Sequence, residues 1–226
     1  MVEPLKRSRS QYMPVSHQYR CIFVHIPKTG GTSIETALDM FHPWREENRE
    51  AMFGLVQSPE LLAKGWISRF LQHLSIEELR EILPSQIAAD YFSFAWVRNP
   101  WDRMVSVYFN KDPDMLQQAR NQGIALEGLS FRDFLERTEG FSHVHLLEQA
   151  RFVVDSQERI CVDFVGRFES LADDFRILCD RLGILAHLPH RNASVHGQYR
   201  QYYTEETREM VAVRYRRDIE LFGYEF

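Results

Sequence analysis

Cysteine is scarce in this sequence. The three residues, Cys21, Cys161 and Cys179, form an odd, sparse set, which reads as reduced thiols in or near the core and not as a redox or metal framework. Positive charge is short as well. A net charge of −5 offers no basic surface for nucleic acid, so an anionic ligand would need a local cluster of cations. No apolar run approaches the ~20 residues that span a bilayer, no signal-peptide pattern opens the chain, and no internal repeat or low-complexity tract is present. A cytoplasmic protein with no membrane span is expected. What remains is a 226-residue chain, 44% hydrophobic and 26% charged, with sixteen Phe and nine Tyr. That is enough apolar mass for one soluble domain with a sizeable core.

Residues 1–19 carry Lys6, Arg7 and Arg9 with little apolar periodicity and read as a flexible arm ahead of a single domain over 20–226. Residues 20–26 read as a buried strand, followed by a helix from about Thr32 with Ile34, Ala37, Leu38 and Phe41 at helical spacing. Ser58, Pro59 and Gly65 punctuate another helix, and Ser75 with Glu78 predicts a capping box for a helix over 76–83. Two further strands are expected over 90–98 and 160–168. Asn99-Pro100 opens a helix, Ser170 caps one that Gly183 ends, and a final helix starts at Thr204 with Val211, Tyr215, Ile219 and Phe222 as its buried stripe. Strands separated by helices predict an α/β fold, P-loop-like and three-layered, with a central parallel sheet flanked by helices. Residues 111–150 read as a helical insertion facing an acceptor.

Two segments carry chemistry. "HIPKTGGTS" joins the first strand to its helix. Backbone N–H groups at a helix start lack partners and favour negative charge. Gly30 and Gly31 permit close approach of an oxyanion, Thr29, Thr32 and Ser33 add hydroxyls, and Lys28 adds a mobile charge. The lysine precedes the glycine pair, the reverse of the nucleoside-triphosphatase order, and no acidic partner for magnesium ends a strand. "VRNPWDRMVS" repeats the strand–turn–helix plan. Arg98 offers a guanidinium suited to a terminal phosphate or, alternatively, a helix anchor paired with Asp102; Ser106 offers a hydroxyl.

Together these segments resemble the sulfotransferases that use 3′-phosphoadenosine 5′-phosphosulfate (PAPS), in the branch of the carbohydrate and heparan sulfate 2-O-sulfotransferases and their bacterial relatives. "VDFVGRFESLADDF" and the closing "YYTEETREMVAVRYRRDIELFGYEF" extend the resemblance from about residue 20 onward. It implies sulfuryl transfer to a hydroxyl, with a carbohydrate as the first expectation and a lipid or small molecule as others, release of the 3′,5′-bisphosphate (PAP), and no required metal. It places Pro27, Lys28, Thr29, Gly30, Gly31, Thr32 and Ser33 at the 5′-phosphosulfate, with Lys28 at the bridging oxygen, and Arg98 and Ser106 at the 3′-phosphate. Arg191, or Arg200, would cover the nucleotide's 3′ side.

An acceptor hydroxyl must lose a proton, which a neutral histidine accepts well near pH 7. The resemblance places a catalytic histidine between the two phosphate elements, and His73 lies there. His25 reads as a structural or lysine-orienting group, and His42 is a weaker alternative. His143 and His145 precede Gln149 where relatives carry His-x-x-Pro-Gln on the acceptor side; here Glu148 replaces the proline, and His145 and Gln149 are carried over as acceptor-side residues. A zinc site at His143 and His145 lacks further ligands. Arg167 with Glu169 reads as an internal ion pair or, alternatively, a nucleotide contact, the structural role being the first reading. A nucleotide kinase or hydrolase and a non-catalytic nucleotide-binding scaffold are the competing readings.

Overall fold

The computed structural model describes residues 14–40, 71–189 and 197–226. A four-stranded sheet runs in the order β1 (Val15–Ser16), β2 (Cys21–Val24), β3 (Phe92–Val97) and β4 (Phe164–Arg167). β2, β3 and β4 are parallel, and β1 pairs antiparallel with β2 at the edge. The described helices are α1 (Gly31–Ala37), α2 (Ile76–Ile82), α3 (Ser85–Asp90), α4 (Pro100–Phe109), α5 (Pro113–Asn121), α6 (Phe131–Arg137), α7 (Ala150–Val153), α8 (Leu171–Leu182), α9 (Glu205–Arg214) and α10 (Arg216–Phe222). None of them is long and apolar enough to cross a membrane.

Strand alternation sets the layers, because successive side chains leave opposite faces of a sheet. Ile22, Val24, Ala95 and Val97 enter one core with Leu79 of α2, Met104 and Val105 of α4 and Val211 of α9. Cys21, Phe23, Phe94 and Trp96 enter a second core with Ile34 of α1 and Phe175 and Leu178 of α8. Both faces are covered, so the central strands read as continuous apolar runs. The fold is α/β with a mostly parallel sheet between helices, as the sequence predicts.

Local signals account for several boundaries. Ser75 Oγ accepts from Glu78 N at 3.2 Å and Glu78 Oε2 accepts from Ser75 N at 2.7 Å, the expected capping box. Asn99 Oδ1 accepts from the Trp101 and Asp102 amides and opens α4. Gly183 ends α8 at φ 66°.

Four expectations change. The arm expected to run to residue 19 stops earlier, since Val15 and Ser16 are buried and paired in β1; residues 1–13 lie outside the described set, as do the helix at Ser58–Gly65 and His42. The third strand is shorter than 160–168, because Ile160 bridges to Val154 and the Cys161 amide donates to Val153 O at 2.8 Å, which ties the segment's start to the end of α7 and not to β3. Ser170 precedes α8 but makes no cap bond; its hydroxyl donates to Asp174 Oδ2 at 2.9 Å. The single final helix is two, broken at Tyr215 (φ −115°, ψ 27°). The break lets buried Asp218 cap α7: its carboxylate accepts from the Gln149 and Ala150 amides at 2.8 Å each.

Candidate active site

The first loop leaves β2 and enters α1 through two left-handed residues, Lys28 (φ 71°) and Gly30 (φ 86°). Positive φ in a lysine is uncommon and costs strain, which concentrates at functional positions. Here the lysine carbonyl is held from outside, accepting from Arg98 Nη1 at 3.2 Å. Arg103 Nε donates to Pro27 O at 3.0 Å. The second segment therefore clamps the first, and the two expected anion cradles lie side by side.

Gly31 is required by what lies beneath it. A Cβ there would come within 2.2 Å of His25 Nε2, so the buried imidazole occupies that space. Gly31→Ala is expected to destabilise the protein by about 1–3 kcal/mol, the usual cost of overpacking, which thermal denaturation would measure; wild-type stability would show that the imidazole yields freely.

The two buried guanidiniums differ in use. Arg98 Nε pairs with Asp102 Oδ2 at 2.8 Å and its plane lies 4.0 Å from the Phe168 ring centre, so the helix-anchor alternative is realised alongside the loop contact. Arg103, 1% exposed, spends its donors on backbone: besides Pro27 it reaches Leu147 O at 2.9 Å and His145 O at 3.2 Å. Burial first, then Arg98, with Arg103 adding to them and Asp112 opposing, brings the Lys28 ammonium from 10.5 down to about 8.

His73 closes a short 3-10 turn (Leu71–His73) before α2. Its Nδ1 lies 3.1 Å from the backbone oxygen of His25. A carbonyl only accepts, so this contact assigns the proton to Nδ1 and leaves the lone pair on Nε2. Burial, then the neighbouring His25, pushes His73 down to about 3. The His145 ring stands edge-on at 5.9 Å from that of His73, and its own Nδ1 is buried without a hydrogen-bond partner among the described residues. Burial, then His73, keeps His145 well below the ordinary histidine range. A buried polar atom of this kind asks for a polar group from elsewhere.

Several sequence-derived residues sit differently. Thr29 is fully buried and its hydroxyl donates to Ile26 O at 2.8 Å, so it adds backbone and no hydroxyl donor to the loop. Gln149 is a clamp, not an acceptor-side group: its Oε1 accepts from Arg98 N at 2.8 Å and its Nε2 donates to Arg98 O at 2.8 Å, holding the end of β3 as a strand neighbour would. Ser106 is buried on α4, and Thr32 and Ser33 stand in the first turn of α1. Arg191 lies outside the described residues. Arg200 donates to Phe226 O at 2.9 Å. Arg167 donates to Phe222 O, and Glu169 accepts from Asn99 N at 2.6 Å, both structural uses.

Asp112, Asp114 and His143 bring their ligand atoms within 4.8 Å of one another. His143 Nδ1, however, accepts from the His145 amide at 3.2 Å. That puts the proton on Nε2, which faces Asp114 Oδ2 at 3.6 Å. A metal-ligating histidine has the opposite arrangement, with its second nitrogen as the donor.

Sequence reasoning missed Arg103, Glu35 and Gln72. Glu35 beside Ile34 on a short apolar helix was the available signal, since a carboxylate there needs buried partners. Its partner His25 is ten positions away, just past the end of β2.

No curated protein and no solved structure matches this chain significantly. A model of the sulfotransferase family matches residues 11–225, a span that contains both loops and every described element. The chain thus belongs to the sulfotransferase family, transferases that move a sulfuryl group from PAPS to an acceptor.

Proposed function

We propose that the acceptor is a hydroxyl, a carbohydrate hydroxyl first, and that His73 is its base and Lys28 the stabiliser of the leaving group. The observation that supports this reading is the His73 Nδ1 contact with the His25 carbonyl, which tethers the ring to the start of the first loop and leaves Nε2 unprotonated. His73 Nε2 takes the hydroxyl proton as the acceptor oxygen bonds to sulfur. The bond from sulfur to the bridging phosphate oxygen breaks, and the Lys28 ammonium meets the charge that grows there. The backbone of Pro27, Lys28, Thr29, Gly30 and Gly31, with Thr32 and Ser33, surrounds the 5′-phosphate; Arg98 and Ser106 take the 3′-phosphate. His145 Nδ1, buried and without a partner among the described residues, is suited to the acceptor hydroxyl. A positioned acceptor and a clamped donor supply the in-line geometry.

An acceptor screen with labelled PAPS, scored by label and mass gain on each product, tests the reading. Sugars are expected to gain the sulfuryl group ahead of phenols, lipids and amines. Transfer confined to an amine or a phenol would overturn the carbohydrate assignment.

A further inference from the structure

We propose that Glu35 and Gln72 are positioning residues, forming a buried polar lock that seats the His73 turn against the helix following the phosphate loop. The proposal rests on the reading of His73 as the base. Glu35 of α1 is 1% exposed, Gln72 8% and His25 6%. His25 Nδ1 donates to Glu35 Oε1 at 2.9 Å; Gln72 Nε2, which also packs 3.1 Å from His25 Nδ1, donates to Glu35 Oε1 at 3.2 Å and Oε2 at 3.3 Å. A carboxylate this deep persists only when its oxygens are satisfied, and these contacts draw donors from two other segments.

The wiring leads to His73. Gln72 is its chain neighbour, so the bond to Glu35 fixes the 3-10 turn that carries the base. Glu35 also holds the ring of His25, whose backbone oxygen accepts from His73 Nδ1. Both routes converge on the orientation of one imidazole. The loop backbone is secured separately, by Arg98 on Lys28 O and Arg103 on Pro27 O. Loss of the Gln72 amide therefore misaims the base while the clamps on the Lys28 and Pro27 carbonyls stay in place.

Gln72→Met keeps volume and removes the amide. It is expected to lower kcat by about 10–100-fold, the scale of a misplaced reacting group, with the Kd for the 3′,5′-bisphosphate unchanged. The loss should vanish when Gln72→Met is added to His73→Ala, because both then act on an absent base. Glu35→Gln, which keeps volume and removes charge, should follow the same pattern and serves if Gln72→Met does not fold. Wild-type kcat in these variants, a matching fall in bisphosphate affinity, or a loss that persists beside His73→Ala would each overturn the lock. Full turnover by His73→Ala alone would instead overturn the base assignment, so the two failures are distinguishable.

Discussion

His73→Ala is expected to lower kcat by about 10²–10⁴-fold, the usual contribution of a general base, with bisphosphate affinity retained. The loop that would hold the nucleotide is clamped by Arg98 and Arg103 through the Lys28 and Pro27 carbonyls. Single-turnover kinetics with isothermal titration checks both halves. The pH profile adds a signature. In the free enzyme burial holds His73 at about 3, so kcat/KM should show no acid limb between about pH 5 and 8. The negative donor draws the histidine's proton affinity back up once bound. An acid limb should therefore appear in kcat, which reports the loaded site. Unchanged turnover in the variant would assign the proton to another group.

Lys28→Ala is expected to cost about 10²–10³-fold in kcat, the scale of removing one preorganised donor from developing charge. Bisphosphate binding should weaken much less. Equal losses would make Lys28 an anchor and nothing more. The lowered lysine value gives a sign to test. Lys28 sits at about 8 in the free protein, so rising pH strips its charge early and kcat/KM for the donor should fall above about pH 8. Bound phosphates favour the ammonium, so kcat should hold to higher pH. Lys28→Ala should abolish that difference between the two profiles.

Much of this site was legible because its signals are local. A lysine, two glycines and flanking hydroxyls between a strand and a helix need no distant partner to be read, nor does Asn99-Pro100 or the Ser75–Glu78 box. What stayed hidden depends on residues far apart in the chain. Gln149 looked like an acceptor-side group, yet its partners are the backbone of Arg98 and the carboxylate of Asp218. β1 has only two residues and exists through its register with β2. The break at Tyr215 falls inside an uninterrupted helical pattern and is explained by the buried bonds of Tyr215 and Asp218, the former donating to Leu146 O at 2.9 Å. Thr29 shows the finer limit: a loop hydroxyl can turn inward to a carbonyl, and composition alone does not reveal its direction.

The imidazole under Gly31 has a consequence for redesign. Positions 25 and 31 share one volume, so variation at either is constrained by the other. Libraries that randomise position 31 while holding position 25 fixed will sample mostly crowded, poorly folding combinations. A smaller side chain at 25 would open room at 31 but strip buried Glu35 of a donor, so positions 25, 31 and 35 have to be varied as one unit.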